Sequence, residues 1–108
     1  MNGSFKIREY TEGGRSPCAD WFDDLDAVTA ARVDRYVRRL EAGNFGAAKS
    51  LHDGVFELRL DFGPGYRVYY GREGRTIIIL LGGGSKRRQD ADIAAAVERW
   101  KRYKQTKA

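Results

Sequence analysis

The strongest constraint is the run Thr-Ile-Ile-Ile-Leu-Leu at residues 76–81. A strand made of it is apolar on both faces, so it must be central in its sheet and covered twice. A chain of 108 residues has room for one sheet and a few helices around such a strand, which is one domain spanning residues 1–108. Residues 54–70, Gly-Val-Phe-Glu-Leu-Arg-Leu-Asp-Phe-Gly-Pro-Gly-Tyr-Arg-Val-Tyr-Tyr, supply its neighbours as a hairpin. Phe56, Leu58 and Leu60 alternate with Val55, Glu57, Arg59 and Asp61. Gly63-Pro64-Gly65 turns the chain, and Tyr66, Val68 and Tyr70 then alternate with Arg67 and Tyr69.

The other elements follow from local signals. Phe5 and Ile7 alternate with Lys6 and Arg8, the period of a strand. Ser16 followed by Pro17 starts a short helix through Trp21, Phe22 and Leu25. A longer helix over residues 27–42 places Val28, Val33, Tyr36, Val37 and Leu40 on one face and ends at Gly43-Asn44. Residues up to Asp53 read as a loop, as does the Gly82-Gly83-Gly84-Ser85 stretch. A last helix starts near Asp90 with Ile93, Val97 and Trp100 facing inward, and the basic tail from Lys101 onward is expected to fray. The predicted class is α+β in the order β-α-α-β-β-β-α. Its antiparallel sheet carries helices on one face, and the Glu57/Arg59/Arg67/Tyr69 face is left partly open.

Charge narrows the partner. The net charge is +5, but residues 1–42 hold 7 Lys/Arg and 8 Asp/Glu, whereas residues 43–108 hold 13 and 7. A basic C-terminal half suits a polyanion such as nucleic acid, or serves solubility alone. No stretch reaches the ~20 apolar residues of a membrane span, and the first ten residues lack a signal peptide's apolar run. With one cysteine, Cys18, no internal disulfide forms, and the cytoplasm is the expected location.

Two constellations carry possible chemistry. Arg59 and Arg67 on one sheet face make a phosphate clamp with Glu57 as a carboxylate base, or else a cross-strand ion-pair ladder with Glu57 and Asp61. The Gly-Gly-Gly-Ser-Lys-Arg-Arg run before a helix offers an anion site, or a solvated basic loop. Its spacing is not that of a Walker loop. A single histidine, His52, and a single cysteine exclude a His pair and a zinc site. Cys18, near a helix start, is either an activated thiol or packing. Trp21, Tyr36 and Trp100 are either core or base-stacking residues.

The hairpin Glu-Leu-Arg…Gly-Pro-Gly-Tyr-Arg-Val-Tyr-Tyr, the strand Thr-Ile-Ile-Ile-Leu-Leu-Gly-Gly-Gly-Ser-Lys and the following Arg-Arg-Gln-Asp-Ala-Asp-Ile together resemble the RelE/ParE/HigB superfamily of type II toxins. The nearest branch is the HigB-like addiction module killer group. The resemblance implies a compact microbial-ribonuclease-like fold and metal-independent cleavage of mRNA on the ribosome, with no cofactor and no metal. It also implies a cognate antitoxin as partner, alongside the ribosome and mRNA, and no membrane. It assigns Arg67 to the scissile phosphate, Arg59 to a basic catalytic position, and Lys86 and Arg87 to charge stabilisation. Tyr69, Arg88, Gln89, Lys101 and Lys104 are the expected RNA contacts. The family's tyrosine in the last helix is replaced by Ile93, and a second basic hairpin residue by Glu57. Only His52 is available for the histidines of some relatives. The ParE branch shares the fold and poisons DNA gyrase, so a gyrase poison and a non-catalytic basic binding module are the alternatives.

Overall fold

The computed structural model describes residues 4–107. Its elements are β1 (Lys6–Glu9), α1 (Pro17–Asp23), α2 (Ala27–Glu41), β2 (Ala48–Ser50), β3 (Val55–Arg59), β4 (Arg67–Glu73), β5 (Ile77–Gly84) and α3 (Gln89–Lys107). A single 3₁₀ turn, Lys86–Arg88, joins β5 to α3. The helix starts are those the sequence encodes. The Ser16 hydroxyl accepts the Ala19 N–H at 3.0 Å with Pro17 in the first turn, and Asp26 accepts from Thr29 at the start of α2.

The sheet order is β1-β5-β4-β3-β2. The three-stranded meander β3-β4-β5 is antiparallel as expected, with Glu57 opposite Tyr69 and Arg59 opposite Arg67. Two features differ. Residues 48–50 form an edge strand where a loop was expected. Asp53 and Gly54 take positive φ (57° and 83°), which folds the chain back so that β2 pairs with β3. β1 joins the other side of β5 in parallel, a long-range pairing with no local signal.

The α+β class holds, but the placement of helices needs correction. Val33, Val37 and Leu40 of α2 and Cys18 of α1 pack with Leu58, Val68, Tyr70, Ile78 and Leu80 on one face. Ala96, Val97 and Trp100 of α3 pack with Val55, Tyr69, Ile79 and Leu81 on the other. The sheet is therefore covered on both faces, as the doubly apolar β5 demands. Val28, expected in the α2 stripe, lies one turn ahead of it and is 71% exposed.

The glycine triplet, expected as a loop, is the end of β5, laddered to Arg67–Tyr69 of β4 after a bulge between Tyr69 and Tyr70. A Cβ on Gly83 would meet the Trp21 ring of α1, and one on Gly84 the Asp92 carboxylate of α3. The missing side chains give both helices their seats. The tail does not fray. α3 continues to Lys107, Trp100 and Tyr103 stack at 5.5 Å, and the Tyr103 hydroxyl donates to Glu73 at 2.7 Å. Among the described residues, no helix is long and apolar enough to cross a membrane.

Gly71 shows how tightly α3 sits. A Cβ there would lie 2.6 Å from the Trp100 ring, and Trp100 is buried. Gly71→Ala is expected to cost about 1–3 kcal/mol through overpacking. An unchanged midpoint in denaturant unfolding would show that α3 is not seated as described.

Candidate functional site

Glu57 is 0% exposed and Arg67 5%. They lie on adjacent strands, diagonally placed two residues out of register, on the face that α3 covers. Arg67 Nε donates to Glu57 Oε2 at 2.5 Å, and its Nη1 donates to the Gly65 carbonyl at 2.7 Å. Gln89, the first residue of α3, donates to the same Glu57 oxygen at 3.3 Å. The guanidinium is thus held on two sides, by the sheet and by the hairpin turn. Its Nη2 has no hydrogen-bond partner among the described residues and is not buried. That free edge is a donor awaiting an anion.

The basic turn comes to the same place. The Lys86 N–H donates to the Pro64 carbonyl at 3.3 Å, tying the β5–α3 connection to the hairpin turn that also holds Arg67. Lys86, Arg87 and Arg88 are exposed and make no ion pair among the described residues. The backbone of the glycine triplet is committed to the sheet, so what this connection offers an anion is the three side chains.

Asp92 completes the group, and the sequence reading did not include it. Its carboxylate fills the notch at Gly84, the residue opposite Arg67 in the β4–β5 ladder. It accepts no hydrogen bond and makes no ion pair among the described residues. Burial raises its pKa above the ordinary 3.8, against the opposing charges of Arg88 and Arg99. The signal was present as a glycine eight residues before an aspartate on a helix. It is unreadable until the helix has a place.

The remaining candidates separate. Arg59 is exposed opposite Arg67. Tyr69 is fully buried, and burial followed by the Glu57 and Asp92 charges pushes its phenol up to about 12, so it is a core residue beneath the site. Lys101 and Lys104 lie near the Asp53 turn, roughly 20 Å along α3 from Gln89. His52 is exposed in that turn with a ring nitrogen 2.9 Å from Asp53, at the end of β3 remote from Arg59. Cys18 is buried, and desolvation raises its thiol to about 12, which favours packing. Trp100 is buried, whereas Trp21 and Tyr36 are half-buried against the core. No cluster of three or more metal-ligating side chains occurs among the described residues.

The fold and site define a small α+β domain that presents a clamped arginine beside a basic turn. The chain belongs to the phage-derived Gp49-like protein family, whose sequence model matches residues 20–103; this is a RelE/HigB-like toxin–antitoxin family. It is also similar to an uncharacterized protein of Haemophilus influenzae, with 47% identity over 77 residues, covering 70% of this chain and 78% of that one.

Two measurements test the geometry. Glu57→Ala strands a buried cation and is expected to cost about 3–5 kcal/mol, whereas replacing both Glu57 and Arg67 by Met should recover most of it; equal losses for single and double variants would refute the pairing. Asp92→Asn should raise stability at neutral pH. The folded state binds the Asp92 proton more tightly than the unfolded chain does. Its charge therefore opposes folding above the raised pKa and not below 3.8. The gain should shrink as pH falls through that window, and a gain independent of pH would contradict the assignment.

Proposed function

We propose that this chain is the toxin of a toxin–antitoxin pair, of the HigB-like addiction module killer branch, and a metal-independent endoribonuclease that cuts mRNA on the ribosome. The observation that carries this reading is the clamped Arg67, with its Nη2 edge free and exposed Lys86 tied to the same hairpin turn. A rigid donor facing the place where charge develops is the main thing phosphoryl transfer asks of a protein.

In this reading the ribose 2′-oxygen attacks the adjacent phosphorus and the bond to the 5′-oxygen breaks, leaving a 2′,3′-cyclic phosphate and a 5′-hydroxyl. Arg67, with Lys86 and Arg87, stabilises the charge on the phosphorane. The proton of the 2′-hydroxyl goes to Asp92, a free carboxylate with a raised pKa and hence a better base than an exposed one. Lys86 or solvent protonates the leaving oxygen. Glu57 was the sequence's candidate for the base. With no exposed surface and its Oε2 engaged by Arg67 and Gln89, it acts instead as a positioning residue for Arg67. The cognate antitoxin covers this basic end with an acidic or complementary segment.

Expression in a bacterial host should stop growth and generate mRNA 3′ ends in frame with stalled ribosomes. Growth arrest with intact mRNA and accumulated DNA breaks would establish the gyrase-poison reading instead. Arg67→Ala would leave Glu57 buried and alone, so Arg67→Lys is the cleaner variant. It should slow single-turnover cleavage by about 100-fold or more, by loss of the fixed fork. A variant that only binds RNA less tightly, with no cleavage by either protein, would identify a binding module.

A further inference from the structure

Beyond Arg67 the sheet runs out to its β2 edge, where residues of α2, the helix packed on the opposite face, line a groove together with β2 and β3. α3 lies against β5, β4 and β3, so the β2 side is left open. There Arg59, Lys49, Arg39 and Tyr36 wall a groove of about 500 Å³, with Asp61 at its end. Arg59 is opposite Arg67, and Lys49 is opposite Glu57. Arg67, Arg59 and Lys49 therefore step outward across three neighbouring strands, at about 5 Å per strand. None of Arg39, Lys49 and Arg59 has an ion-pair partner among the described residues. The wall is also fixed in place. The Tyr36 hydroxyl donates to Asp61 at 2.7 Å, and the Arg39 guanidinium lies 4.7 Å over the Tyr36 ring. Next to it Arg32 covers Phe62 at 3.9 Å, and Tyr36 and Phe62 are 6.1 Å apart. Unpaired cations in a row, with guanidinium planes laid over aromatic rings, are what a single strand needs for its phosphates and its bases.

We propose that this β2-edge groove, walled by Tyr36, Arg39, Lys49 and Arg59, holds the single-stranded RNA that flanks the phosphate bound at Arg67. The proposal rests on the ribonuclease reading for its ligand, and it adds a second segment of the substrate path with its own residues. Arg39 and Lys49 take no part in the chemistry; they bind the backbone beyond the cut.

The test is binding of a short, uncleavable 2′-O-methyl RNA to the full chain, followed by fluorescence anisotropy across a salt series. Two variants are compared with the parent: Arg39→Glu/Lys49→Glu and the neutral Arg39→Gln/Lys49→Ala. Each lost contact should reduce the slope of log affinity against log salt by about 0.7, so the neutral pair should lose about 1.4. Affinity at low salt should fall at least about tenfold, while the melting temperature stays near that of the parent. A neutral pair that binds like the parent overturns the proposal, even if the charge-reversed pair binds poorly, because added repulsion alone would explain the latter. Equal loss for an RNA too short to reach past Arg67 also overturns it. The two readings fail separately. A chain that binds RNA through the groove but cuts no mRNA loses only the ribonuclease reading. One that cuts mRNA while its groove variants bind normally loses only the groove.

Discussion

The ion pair between Glu57 and Arg67 is the contact on which the functional end of the molecule depends. Both side chains are withdrawn from water, and a buried pair seldom stabilises a fold more than well-packed apolar residues in its place. What it does here is aim. Arg67 is fixed at Nε by the carboxylate and at Nη1 by the Gly65 carbonyl, which leaves one edge of a planar fork facing out. The same carboxylate takes the Gln89 amide at the first turn of α3. The β3 strand, the hairpin turn that follows it and the α3 start, distant from both in sequence, thus share one node.

That node is dry only because α3 lies over it, and α3 lies there only because glycines make room. Gly71 receives Trp100, Gly82 faces Arg99 and Gly84 faces Asp92, while Gly83 receives Trp21 on the opposite face. Each absent Cβ is a point where a helix comes close to the sheet. Seating the helix brings three further groups to the site: Gln89 to orient the base of the clamp, Asp92 as a free carboxylate, and the Lys86–Arg88 turn as cations. Packing and chemistry are set by the same four positions.

This explains what could and could not be read from the sequence. Ser16-Pro17, the Asn44 region and Gly63-Pro64-Gly65 act within a few residues, so helix starts and the hairpin register were legible. The doubly apolar β5 required cover on both faces, yet the period of the α3 pattern says only that the helix has an inner face, not against which side of the sheet it lies. Placing all helices on one face left Glu57 and Tyr69 apparently open, and the structure buries both. The glycine triplet looked like a loop because the partners that need its space, Trp21, Arg99 and Asp92, lie some 60 residues before it or more than 7 after it. Arg67, Lys86 and Arg87 were recognisable as one basic group; Asp92 was not, because its neighbour Gly84 is set by tertiary packing.

Net charge is a poor guide to where a polyanion would be held, and the pairing of charges is a better one. Arg15 is tied to Asp20, Arg38 to Asp34 and Glu41, and Arg102 to Glu12 and Glu98. Those cations are neutralised locally and contribute little field beyond a Debye length of about 8 Å. Among the described residues, Lys49, Arg59, Lys86, Arg87 and Arg88 have no such partner, and Arg67 pairs with Glu57 only through its inner edge. Lys49, Arg59, Lys86, Arg87 and Arg88 lie around the hairpin turn and the β2 edge, whereas a second group without ion pairs among the described residues, Lys101, Lys104 and Lys107, lies on the far half of α3. The first group is the one continuous with Arg67, and its field draws an anionic chain toward that clamp from the open side of the sheet.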